Sequence, residues 1–232
     1  MSNLLYHKEL TDAQWSRIKI LFEKPKKVGR PSLNPRAVLN GILWILKSGA
    51  RWRDLPARYG NRNSLYHKFR QWCECGLFER LLNLVNRNGE NSSPLEIDST
   101  FCKVHQSACS GLKAQATGSG GKNTKIHVRI NERMQLLNVV LTGGHIHDSQ
   151  PMFEFCDKVR SFLDKRGAKV CIPDKANFKM KHTFDAELYK QRNKVERFFQ
   201  RIKNYRHLAT LYDKLAFCFL NFVLLASSVI HF

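Results

Sequence analysis

The stretch L-E-I-D-S-T-F-C-K-V-H (95–105) decides how the chain is read. It is rich in β-branched and aromatic residues, reads as a strand, and carries Asp98 inside it. N-R-N-G-E-N-S-S-P (86–94) before it is polar and turn-forming, the best place for a domain boundary. Downstream, K-I-H-V-R-I-N-E-R-M-Q-L-L-N-V-V-L-T-G-G (125–144) reads as a hairpin turning near Asn131–Arg133, and A-K-V-C-I-P (168–173) as a short strand. Residues 150–165, 185–206 and 208–231 read as helices. Strands followed by helices predict a mixed α/β layer fold over 95–232.

Upstream of the boundary the pattern is helical throughout. Residues 10–24 follow Thr11 as N-cap, with Trp15, Ile18, Leu21 and Phe22 at helical spacing. P-R-A-V-L-N-G-I-L-W-I-L-K-S (35–48) has Pro35 in its first turn and Gly49 after its end. A short turn, A-R-W-R-D-L-P-A-R-Y-G (50–60), leads into N-R-N-S-L-Y-H-K-F-R-Q-W-C-E-C-G (61–76). Short helix, glycine turn, basic-aromatic helix is the cadence of a helix-turn-helix. In that reading Arg62, Asn63, Ser64, Tyr66, His67, Lys68 and Arg70 face DNA, and Leu65, Phe69 and Trp72 pack inward. The plainer alternative is a three-helix packing unit with a cationic surface. K-P-K-K-V-G-R-P (24–31) is a basic arm that either lies along phosphates or is a solvated linker.

Of the 232 residues 43% are hydrophobic, enough for a real core, so wholesale disorder is excluded. The net charge of +20 is shared: 17 basic and 7 acidic residues fall in 1–94, and 22 basic and 12 acidic in 95–232. A basic balance across both halves points to a polyanion, nucleic acid or an anionic membrane surface. The seven cysteines are scattered, with no CxxC pair, which argues against zinc and for reduced thiols in a cytosolic protein. The N-terminus lacks a signal-peptide apolar region. The apolar run 215–232 is interrupted by Asn221, Ser227, Ser228 and His231 and reads as a buried core helix rather than a membrane span.

Y-K-Q-R-N-K-V-E-R-F-F-Q-R-I-K (189–203) carries the chemistry. Tyr189, Arg192, Glu196 and Lys203 keep to one side of a helix, because steps of three, four and seven residues return near the same face. A carboxylate set between cations suits phosphodiester cleavage, the carboxylate holding a metal and the cations the phosphates. A solvated mixed-charge helix would look the same in isolation.

The spacing Y-(2)-R-(3)-E-(6)-K resembles the signature around the last acidic residue of bacterial DDE transposases. I-D-S-T, K-V-H-Q-S-A, T-K-I-H and L-T-G-G-H-I-H-D-S resemble successive landmarks of small insertion-sequence transposases of the insertion sequence five group. L-T-D-A-Q-W, G-R-P, R-A-V-L-N-G-I-L-W, W-R-D-L-P and R-Q-W are similar to that family's N-terminal part, and E-R-F-F-Q-R-I-K-N-Y-R-H-L-A-T-L-Y-D-K to its ending. The resemblance implies an α/β, ribonuclease-H-like catalytic domain (95–232) behind an all-helical, helix-turn-helix-like domain (1–90). It implies Mg²⁺-dependent cleavage and joining of DNA strands, with Mn²⁺ as a substitute ion. Asp98 and Glu196 take the first and third carboxylate roles, and both hold metal. The N-terminal helices, through Arg62, Lys68 and Arg70, recognise the terminal inverted repeats, while Lys125, Arg192 and Lys203 steady phosphates. The expected partners are double-stranded DNA, as element ends and as target, and a second copy of the chain on that DNA; no membrane partner is expected. A cytoplasmic, nucleoid-associated bacterial protein is implied.

The second carboxylate departs from the family pattern. The family carries A-D-K-G-Y or similar on a strand between the H-D-S helix and the strand ending I-P. Here the run from His145 to Pro173 passes through one helix and looks internally deleted. D-K-V-R-S-F-L resembles the residues that come directly after the missing motif, which makes Asp157 the nominal second carboxylate; Asp148 and Asp174 are the alternatives. An impaired copy is therefore expected, because a lost carboxylate leaves a metal under-coordinated. Two rival functions stay open: a DNA-binding remnant without catalysis, and a basic membrane-associated protein anchored by 215–232.

Overall fold

The computed structural model describes residues 9–22, 33–86, 96–105, 116–118, 121–146 and 193–232. The basic arm, Asp148, Asp157, Asp174, Tyr189, Arg192, and the expected helix at 150–165 and strand at 168–173 lie outside the described residues.

Four helices come first. α1 (Asp12–Ile18) starts at a capping box: Thr11 Oγ1 accepts from Gln14 N at 3.2 Å, and Gln14 Oε1 accepts from Thr11 N at 2.9 Å. It tightens into a 3₁₀ turn (Lys19–Leu21). α2 (Pro35–Ser48) is capped by Asn34, whose Oδ1 accepts from Arg36 N at 2.9 Å, and ends where Gly49 takes φ 67°. α3 (Arg62–Glu74) is capped by Asn61 in the same way, and α4 (Leu77–Asn86) comes after Gly76. Gly41 allows α2 and α3 to touch, since a Cβ there would stand 2.5 Å from Leu65 Cδ2. Leu65, Phe69 and Trp72 are buried, as their helical spacing predicts.

The sheet is built from β1 (Glu96–Val104), β2 (Ala116–Gly118), β3 (Gly121–Ile130) and β4 (Leu136–Gly143). β3 pairs antiparallel with β1, with β4 and with the short β2. The hairpin turns at Asn131, whose Oδ1 accepts from Arg133 N and Gln135 N, both at 3.0 Å. α5 (Asn193–Lys203) lies along β1; α6 (Arg206–Ala209), β5 (Thr210–Leu211) and α7 (Ala216–Val229) complete the chain order.

The closing region differs from its sequence reading. The single helix expected at 208–231 is a turn of α6, a two-residue strand parallel to the end of β1, and α7. α7 is apolar around most of its circumference and packs against α3, α4, α5, α6 and β4. Phe219, Phe222, Val223, Leu225 and Ala226 are fully buried, while Phe217, Leu220, Leu224 and Val229 are half-buried. Among the described residues no helix is long and apolar enough to cross a membrane.

The hydrophobic core runs without a break from the N-terminal helices into the sheet and α7. Phe69 of α3 stacks on Phe222 of α7 with ring centroids 4.5 Å apart, and Trp52 and Phe78 flank Phe69 at 5.5 and 5.8 Å. Asn86 at the end of α4 donates to Leu136 O at 2.6 Å, tying the helices to β4.

Candidate functional site

Two anchor points fix α5 on β1. Val195 N donates to Glu96 Oε2 at 3.0 Å. Two turns on, Lys203 Nζ donates to Thr100 Oγ1 at 2.5 Å and to Phe101 O at 3.2 Å. The order of these contacts makes helix and strand run in the same direction. Their lengths agree: eight helical residues rise about 12 Å, and four strand residues about 13 Å.

Side chains alternate along β1, so Glu96, Asp98 and Thr100 share the face that α5 covers. On α5, Glu196 and Lys203 are seven residues apart and lie on one flank, beside the buried stripe of Val195, Phe198, Phe199 and Ile202. That flank is the one that reaches Thr100. The rise of about 10.5 Å between Lys203 and Glu196 corresponds to about three residues of β1 on the N-terminal side of Thr100. Glu196 is therefore level with the stretch between Glu96 and Asp98. Lys203 thus meets β1 at the seam with α5, Asp98 is half-buried on the strand face toward that helix, and Glu196 is exposed.

The electrostatics of the seam are uneven. Asp98 Oδ1 accepts from Ser99 N at 2.8 Å. Burial raises the Glu96 pKa above the ordinary carboxylate value, with the Val195 N–H and the Lys194 charge opposing. Among the described residues Glu96 Oε1 is buried without a hydrogen-bond partner. Among the same residues no three His, Cys, Asp or Glu side chains gather to hold a metal ion. The described donor set is two carboxylates, hard oxygen ligands that suit Mg²⁺ or Mn²⁺, with Mg²⁺ keeping several waters.

Lys125, grouped with these residues on sequence grounds, is elsewhere. It pairs with Phe101 across β1 and β3, and so lies on the opposite face of the sheet from Asp98. It is buried, donates to Ile146 O at 2.7 Å, and its ammonium sits 4.8 Å from the centroid of the Phe101 ring. The alternation of β3 carries the signal, but only once the register with β1 is known. Glu96 and Thr100 were missed in the sequence, because what marks them is a partner about a hundred positions away.

The expected DNA-facing helix, α3, shows a mixed surface. Arg62, Asn63, Ser64, His67 and Gln71 are exposed. A shallow groove there is lined by Ser64, His67, Lys68, Arg70, Gln71 and Glu74. Lys68 donates to Gln71 Oε1 at 2.9 Å. Arg70 turns aside: it pairs with Glu74 at 3.0 Å, and its guanidinium lies 5.7 Å from the Phe217 ring centroid. Tyr66 packs edge-on against Trp52 at 5.2 Å, and burial raises its phenol pKa.

Residues 10–82 match the family described as "Putative transposase of IS4/5 family", and residues 154–232 match the family described as "Transposase DDE domain". The chain belongs to the IS4/5 insertion-sequence transposases. It is 36% identical over 107 residues to the uncharacterized protein y4sN of Sinorhizobium fredii, covering 46% of this chain and 85% of that protein. It is 37% identical over 83 residues to an uncharacterized 16.2 kDa protein of insertion element IS402 from Burkholderia cepacia, covering 33% of this chain and 56% of that one. No solved structure matches. In this transposase Glu196 and Lys203 fall inside the stretch matched to the DDE domain, whereas Asp98 lies between the two matched stretches.

Proposed function

We propose that this transposase binds the terminal inverted repeats of its element through the surface of α3 and acts on DNA strands at the seam between β1 and α5. The observation that carries the reading is the two-point register of α5 on β1, Val195 N on Glu96 and Lys203 Nζ on Thr100. The catalytic domain is read as ribonuclease-H-like.

In this reading Asp98 and Glu196 supply carboxylate oxygens to a divalent ion, Mg²⁺ or Mn²⁺. Such an ion, when bound, activates the attacking oxygen and stabilises the leaving oxygen of an in-line displacement. Lys203 braces the helix against the strand and adds positive charge beside the phosphates. Arg192, four positions before Glu196 in sequence, adds a second cation for the phosphates. Arg62 and Lys68 give phosphate contacts on α3, with the exposed polar residues of that helix toward the bases.

A second reading rests on the segment between Ser149 and Ala168, which lacks the family's A-D-K-G-Y run. In it the chain binds end DNA in a metal-dependent way but cuts little, Asp157 failing to replace the missing group. Nicking of DNA carrying the element's ends, with Mg²⁺ present, decides between the two. Cleavage lost on Asp98→Asn and on Glu196→Gln supports the enzyme. Cleavage that survives both substitutions removes the β1–α5 seam as the active centre.

A further inference from the structure

We propose that Glu96 is a positioning residue that sets Glu196 opposite Asp98; this rests on the metal-site reading above. Three observations meet at this side chain. Its Oε2 accepts the backbone N–H of Val195, the residue immediately before Glu196. It sits two residues before Asp98 on the same face of β1. Its other oxygen, Oε1, is buried with no partner among the described residues. One carboxyl group therefore joins, through a single hydrogen bond, the strand that carries one acid to the turn of helix that carries the other.

The same facts separate positioning from ligation. Among the described residues Glu96 does not gather with Asp98 and Glu196 into a three-carboxylate cluster. Its engaged oxygen faces an amide hydrogen, a bond that a neutral amide oxygen can also accept. Glutamine keeps that bond: its carbonyl accepts from Val195 N, and its amide takes the place of Oε1. Alanine removes the acceptor, leaves a buried N–H unpaired, and frees α5 to shift along β1.

Manganese binding by the full chain tests this, with the free-ion signal in electron paramagnetic resonance as the readout and thermal unfolding measured alongside. Glu96→Ala is expected to weaken Mn²⁺ binding by about ten- to a hundredfold, the usual cost of losing a group that orients a ligand. Glu96→Gln is expected to stay near wild type. Should Glu96→Ala not fold, Glu96→Asp takes its place; it keeps the charge but withdraws the acceptor from Val195, and is expected to weaken binding while Glu96→Gln does not. Unchanged affinity in a folded Glu96→Ala or Glu96→Asp overturns the proposal. So does a Glu96→Gln as deficient as Glu96→Ala, because Glu96 would then be a ligand. Asp98→Asn and Glu196→Gln serve as controls for the parent reading: if neither lowers Mn²⁺ binding, there is no metal site at the seam, and the proposal falls with it.

Discussion

Phe69 and Phe222 stack with centroids 4.5 Å apart, joining the helix expected to meet DNA to the closing helix more than 150 residues later. Neither ring is exposed. Phe222→Ala is expected to cost about 3–5 kcal/mol of stability, from lost burial and the cavity left behind. A double-mutant cycle with Phe69→Ala should show a coupling of about 0.5–1.5 kcal/mol. Chemical denaturation of the four proteins measures both; additive effects would mean that the rings do not interact in solution.

Lys203 offers a test with an unusual sign. In a chain of net charge +20, removing a lysine that only faces solvent should relieve repulsion and stabilise slightly. Lys203 instead bonds Thr100 Oγ1 and Phe101 O. Lys203→Met is therefore expected to destabilise by about 1–2 kcal/mol, because the ammonium bonds are lost and the acceptors on β1 are left unpaired. A gain in melting temperature would show that the brace is not formed.

Glu96 makes stability depend on pH in a defined direction. Its folded pKa is raised, so the folded state holds the proton more tightly than the unfolded chain. Its stabilising effect is complete below the unfolded carboxylate pKa and is lost as pH rises through the folded value. Glu96→Gln removes this dependence. The variant should match wild type in acid and equal or exceed it at neutral pH, in melts recorded across the acidic range. A variant less stable than wild type at neutral pH alone would contradict the raised pKa.

The proposed DNA surface of α3 can be divided by salt dependence. Removing a phosphate contact should lower the slope of log affinity against log salt by about one. Arg62→Ala and Lys68→Ala are expected to do so in filter binding to duplex DNA. Arg70→Ala should change stability more than slope, because its guanidinium is held by Glu74 and Phe217. Slopes unchanged from wild type in Arg62→Ala and Lys68→Ala would remove α3 as the phosphate-contacting element.

Thiol reactivity provides a check that needs no DNA. Cys75 is exposed, whereas Cys73, Cys102 and Cys218 are buried. Burial pushes the Cys102 thiol up to about 12, and the thiol donates to Leu208 O at 3.1 Å. Site-resolved alkylation of the native protein should label Cys75 well ahead of these three. Early labelling of Cys102 would mean that α6 does not sit over β1.

Legibility in the sequence tracks the range of the forces involved. Thr11, Asn34, Pro35, Gly49 and Asn61 act within four residues of themselves, so the helix boundaries they set can be read directly. Alternation and a turn-forming Asn131 placed the β3–β4 hairpin. β5 could not be found this way, because Thr210 and Leu211 become a strand only by pairing with Lys103 and Val104. Which side of α7 is the more deeply buried is not legible in the sequence, because a helix apolar nearly all round has no stronger face for spacing to reveal. Asp98, Glu196 and Lys203 stand out in the sequence only through spacing and the family resemblance, and of the three Lys203 is tied to the other element by a side-chain bond, to Thr100. The side of the sheet holding Lys125 required strand register, and the role of Glu96 required a contact across 99 positions.

The Phe69–Phe222 stack also ties α3 to the order in which the chain is made. A polypeptide released before α7 is synthesised would lack the ring that stacks on Phe69 in the folded chain. Translation must run through residue 222 before α3 acquires its folded backing.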